Sequence, residues 1–145
     1  MKLASSVSVT ITFLTVLVYL GPLYGYGSMY AGGNLLFHLI VPVICILDFI
    51  FLNDYMLKYK SSLFTVLCIG IYSVGYIAVI LINGKGRGHN GNDFYGFLNW
   101  GLGIGIIMYA VILAVAVLTG ILFIKINNKV IKKRSALSGP QTKED

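Results

Sequence analysis

Two ionisable residues stand inside a stretch otherwise built for hydrocarbon: His38 and Asp48 in NLLFHLIVPVICILDFIFL. An imidazole exchanges protons near neutral pH and can act as a general base, while a carboxylate can orient a base or line a charged path. Such groups are costly at membrane depth, so their presence there points to function. They cannot form a dyad with each other, because ten residues of helix separate them by about 15 Å along the axis. Asn34, His38, Val41, Cys45 and Asp48 do share a sector of roughly 80 degrees on a helix, which gives the segment one polar stripe. Pro42 lies four residues after His38, where its missing N–H frees the His38 carbonyl and permits a kink. The plainer readings are equally open: an interhelical hydrogen bond for His38, and an interfacial pair with Lys58 or Lys60 for Asp48.

Partners for the stripe are offered by IYSVGYIAV, where Tyr72, Ser73 and Tyr76 carry hydroxyls. The same segment reads more simply as close packing through Gly70, Ser73 and Gly75, and Gly101 with Gly105 form a GxxxG pair of the same meaning. The glycine-rich stretch NGKGRGHNGNDFYGFLNW lacks the GxxxxGK[ST] order of a phosphate loop. His89 within it has no second histidine or cysteine nearby, so no metal site is expected. Cys45 and Cys68 both sit in apolar runs and read as buried thiols rather than a disulfide. No cofactor is implied.

These residues must be positioned by membrane helices. Of the 145 residues, 57% are hydrophobic and 11% charged, and the mean hydropathy is +0.85. A soluble domain would carry roughly a quarter charged residues. Apolar runs cover about 7–24, 34–52, 63–82 and 98–124, each long enough to cross a bilayer of about 30 Å. The expected fold is all-α: a four-helix transmembrane bundle over 1–126, followed by a basic to polar tail over 127–145. The first run could also be a signal-peptide core behind Lys2, but it is long for one and no small-x-small cleavage site follows. The tyrosines of GPLYGYGSMYAGG suit the headgroup region.

A pI near 9.4 raises the possibility of nucleic acid, yet the basic residues avoid the apolar runs and no aromatic-basic recognition pattern appears. Their distribution reads as topology instead. Lys2, Lys58, Lys60 and six tail residues make nine on one side, against Lys85 and Arg87 on the other. The side richer in Lys and Arg is cytoplasmic, which places both termini there. The tail's basic start is expected to extend the last helix to the anionic leaflet, and its end to be disordered.

HLIVPVICILDFIFL, IYSVGYIAVILINGKG and DFYGFLNWG together resemble the last half of the androgen-induced membrane hydrolases and their bacterial six-helix relatives. That family has a His shortly before a Pro and an acidic position, then a Tyr-containing small-residue stretch, a Gly-bearing loop and a Tyr-Pro-Phe-Leu-like segment. The likeness covers roughly Asn34 to Gly105. It implies threonine-dependent hydrolysis of fatty-acid esters of hydroxy fatty acids, with His38 at the position of the intramembrane histidine. The family's threonine comes from an early helix, whereas 7–24 resembles its third helix, and Gly96 stands where the family usually has Pro. A truncated member, inefficient as a hydrolase by itself, is therefore the expectation.

The expected role is that of a multi-pass protein of the cell membrane whose surroundings are the lipid bilayer and a second copy or a partner membrane chain. Two alternatives remain: an intramembrane lipid-ester hydrolase with His38 as its catalytic base, and a small transporter or channel component with His38 and Asp48 along a polar path.

Overall fold

A computed structural model describes residues 2–83, 87–88, 91–92, 95–97 and 101–137. The fold is all-helical, with four helices long and apolar enough to span a membrane: α1 (Lys2–Tyr24), α2 (Gly33–Phe51), α3 (Ser61–Ile82) and α4 (Leu102–Leu137). A turn of helix at Tyr26–Met29 sits between α1 and α2, and Arg87–Gly88 pairs antiparallel with Gly91–Asn92 between α3 and α4. Lys85, His89, Trp100 and the chain end from 138 lie outside the described residues.

The helices depart from the apolar runs where packing or polarity extends them. α1 starts at Lys2 rather than Val7, since Leu3, Ser6 and Val7 are buried and the Ser6 hydroxyl donates to the Cys45 carbonyl of α2 at 3.2 Å. α4 begins at Leu102, directly after Gly101, whose φ of 96° is not helical; the expected start near 98 lies outside the described residues. At its other end α4 continues through the basic segment to Leu137. Its 36 residues span about 54 Å, well beyond the roughly 30 Å of a hydrocarbon core.

Each of the first two helices contains a five-residue π-helical stretch, Val16–Leu20 and Leu36–Ile40, and each is followed two residues later by a proline. Proline supplies no N–H, and widening the turn to i→i+5 bonds redistributes the carbonyls left unserved. In α1 one of them is recovered from outside the helix: the Tyr26 hydroxyl donates to the Leu17 carbonyl at 2.8 Å. The ring reaches it only because residue 21 is glycine, for a Cβ there would overlap the Tyr26 ring. In α2 the Val41 N–H bonds to the Leu36 carbonyl, so His38 lies inside a widened turn rather than at a simple kink.

α1 and α4 form the centre of the bundle, with α2 packed against both on one side and α3 against both on the other. One core joins Leu3, Val7, Ile11, Phe49, Ile69, Ala116, Phe123 and Ile124; a smaller one joins Val16, Leu20 and Met29. Phe49 and Phe123 stack with centroids 5.7 Å apart. α3 and α4 approach closely at Gly120, where a Cβ would come within 3.1 Å of Ser62 Cβ. Of the glycines expected at contacts, Gly70 and Gly75 would meet open space with a Cβ, Gly101 precedes its helix, and Gly105 is buried within it.

Candidate functional site

A cavity of about 380 Å³ opens between α1, α3 and α4. From α1 come Ser8, Ile11, Thr12 and Thr15; from α3 Cys68, Ile69, Tyr72, Ser73 and Tyr76; from α4 Tyr109 and Ile112; and from the connection before α4 Tyr95 and Phe97. The volume falls within the range of small-molecule pockets, about 300–1,000 Å³. Among the described residues no charged side chain lines it.

Helical spacing builds two of these walls. Ser8, Thr12 and Thr15 recur at intervals of four and three residues and so share a face of α1, as Cys68, Tyr72 and Tyr76 share one of α3. The opposite face of α1, carrying Leu3, Ser6 and Thr10, turns away from the cavity and is buried. Two of the small hydroxyls are engaged within their own helices: Thr12 donates to the Ser8 carbonyl at 3.2 Å and Ser73 to Ile69 at 2.9 Å. Back-bonding of this kind lets a hydroxyl line an apolar space while its oxygen still accepts.

Aromatic rings close the end of the cavity nearest the connection to α4. Phe97 lies 5.3 Å from Tyr19, 5.3 Å from Tyr95 and 5.5 Å from Tyr109, measured between ring centroids. Tyr76 approaches Tyr95 at 5.5 Å and Tyr109 at 6.1 Å. The Tyr95 N–H donates to the Tyr76 hydroxyl at 3.1 Å, tying the connection to α3. Burial, reinforced by the charge and hydrogen bond of Tyr72, pushes the Tyr95 phenol up to about 12. Tyr72 itself is 62% exposed, so the cavity is open on that side.

The polar stripe of α2 lies elsewhere. His38 is half-buried and does not line this cavity, and its Nδ1 is buried without a hydrogen-bond partner. Asn34 is exposed and reaches the Ser28 carbonyl at 3.5 Å. Cys45 and Cys68 are free thiols on different helices. Asp48 pairs with Lys2 at 3.3 Å rather than with Lys58 or Lys60, because the early start of α1 brings the chain's first lysine beside the end of α2. Tyr72, Ser73 and Tyr76 do not meet the stripe: α1 and α4 stand between α2 and α3. Those three residues face the hydroxyls of α1 instead.

The threonine face of α1 is a part of the site that the polar stripe of α2 does not point to. Its signal is the spacing Ser8, Thr12, Thr15. Among the described residues no three His, Cys, Asp or Glu side chains converge as metal ligands would. The chain matches no family model, no curated protein and no solved structure. Chemically, the arrangement offers apolar walls, hydroxyl oxygens along two sides and tyrosines at one end. It suits an uncharged molecule with an apolar body and one or two hydrogen-bonding groups.

Proposed function

We propose that this chain is a multi-pass protein of the cell membrane that binds a small, uncharged amphipathic molecule between α1, α3 and α4 without cleaving it. The observation that carries this reading is the cavity of about 380 Å³ with hydroxyl-bearing walls and, among the described residues, no charged lining. Four helices of spanning length and apolar character support the membrane. The resemblance to the androgen-induced membrane hydrolases supports a lipid-like ligand.

Both termini are cytoplasmic in this proposal, on the strength of nine basic residues against two. An alkaline phosphatase fused after Asp145 should be inactive, and high activity there would overturn the orientation. Hydrolysis with His38 as base has less support, since the imidazole does not share the cavity with Thr12, Thr15 or Ser73. A transporter path along Asp48 and His38 also has less support, as neither lines the cavity and Asp48 is paired with Lys2.

The test is photolabelling of the purified chain with a diazirine-bearing medium-chain alcohol. Label should concentrate in α1 and α3 peptides, fall with excess unlabelled decanol, and disappear when Ser73→Phe fills the space. Labelling that is unchanged in Ser73→Phe, or scattered evenly over outward faces, would remove the cavity from the proposal.

A further inference from the structure

A second cavity, about 460 Å³, lies at the other end of the bundle, between the starts of α1 and α3 and the end of α2. Leu3, Phe49, Leu57 and Phe64 make its walls apolar, but its polar lining differs in kind from that of the first cavity. Lys2 contributes an ammonium, Ser61 and Tyr55 hydroxyls, and Thr65 a hydroxyl from the first turns of α3.

Thr65 is the informative residue. It is fully buried, and its Oγ1 has no hydrogen-bond partner. A helical hydroxyl ordinarily escapes this cost by donating to the carbonyl four residues back. Ser73 on the same helix does so with Ile69 at 2.9 Å, whereas Thr65 does not do so with Ser61. A polar group left unpaired in the wall of a cavity is a group waiting for a ligand atom.

The charges around it favour an anion. Lys2 spends one contact on Asp48 at 3.3 Å, yet its side chain remains 56% exposed and an ammonium has three donors. Lys58 and Lys60 are exposed just before α3, whose first turn carries no acidic residue. The leading N–H groups of α3 already bond to the carbonyls of Lys58, Tyr59 and Lys60, so side chains must do the holding. Among the described residues Asp48 is the carboxylate paired with Lys2, and it limits the site to ligands that can share that lysine.

We infer that this cavity binds a phosphate group, held by Lys2, Ser61 and Thr65, with any attached chain lying along Phe49, Leu57 and Phe64. The phosphate comes either from a membrane-lipid headgroup or from solution, and the experiment separates the two. Thermal unfolding of the purified chain in neutral detergent is followed with added inorganic phosphate, with phosphatidic acid, and with diacylglycerol of the same chains, against chloride of equal ionic strength. A rise of several degrees with phosphatidic acid alone identifies a headgroup site, and a rise with both phosphates identifies a free-phosphate site. Thr65→Val should unfold no earlier than wild type without ligand, since its hydroxyl has no partner to lose, yet bind about tenfold more weakly. Lys2→Gln, which alters only a partly exposed pair, should weaken binding likewise and serves if Thr65→Val does not fold. No rise with either phosphate, an equal rise with diacylglycerol, or a rise undiminished in both variants overturns the inference.

Discussion

The side-chain amide of Asn53 donates to Asn127 Oδ1 at 3.1 Å across 74 positions of sequence, and both amides also donate to the Tyr55 carbonyl, at 2.9 and 3.0 Å. Beside them Asn128 accepts from the Leu57 N–H and donates to the Leu57 carbonyl, at 2.9 and 2.8 Å. Arg134 reaches the Phe51 carbonyl and lies 3.8 Å from Asp54. The connection between α2 and α3 is thereby clasped along the extension of α4, which satisfies the Tyr55 carbonyl and both backbone groups of Leu57 without regular structure there.

Asn127 is fully buried, so Asn127→Ala leaves Asn53 and the Tyr55 carbonyl short of partners. The expected cost is about 1–3 kcal/mol of unfolding free energy. Denaturation in mixed micelles measures it. Exposed Arg134 should matter far less, since exposed ion pairs contribute roughly 0–1 kcal/mol. Wild-type stability of Asn127→Ala would mean that the clasp is ornamental.

Much of this architecture was legible because continuous apolar runs have one reading at membrane thickness. The register between helices was not. Helix-facing residues in a membrane bundle are scarcely more polar than lipid-facing ones, so periodicity gives little direction. Asn34, His38 and Asp48 drew attention as polar groups on one stripe, yet the structure gives that stripe no common partner. Asn127 and Asn128 carry no signal of their own, since KINNKVIKKR reads as a basic tail until the continuous helix is placed alongside the connection it clasps. Nor could the sequence show that the prolines at 22 and 42 are accommodated by π turns, which depend on hydrogen bonds rather than on residue type.

The aromatic end of the first cavity makes a pH prediction. Tyr95 is raised to about 12, by burial and then by Tyr72, from an unfolded value of about 10. The fold favours the protonated phenol. Its contribution to stability is therefore complete below about pH 10 and is lost as pH rises from there toward 12. A phenolate absorbance titration of wild type minus Tyr95→Phe should show one phenol ionising near the upper value. A difference titration centred at the unfolded value would mean that the ring is hydrated and the cavity end is open.

The last prediction concerns His38. A nucleophilic hydroxyl needs its base within hydrogen-bond reach, about 2.6–3.2 Å, and donors for the developing oxyanion. Thr12, Thr15 and Ser73 share a cavity that His38 does not line, and the buried Nδ1 of His38 makes no hydrogen bond. The purified chain should therefore take no label from a fluorophosphonate probe. His38→Leu should be neutral to stabilising, because it exchanges an unpaired buried nitrogen for an apolar group of similar reach. Two results would reverse the reading together: fluorophosphonate labelling of wild type that vanishes in His38→Ala, and a marked loss of thermal stability in His38→Leu. They would require the widened turn at Leu36–Ile40 to swing the imidazole toward a hydroxyl from α1 or from a second chain.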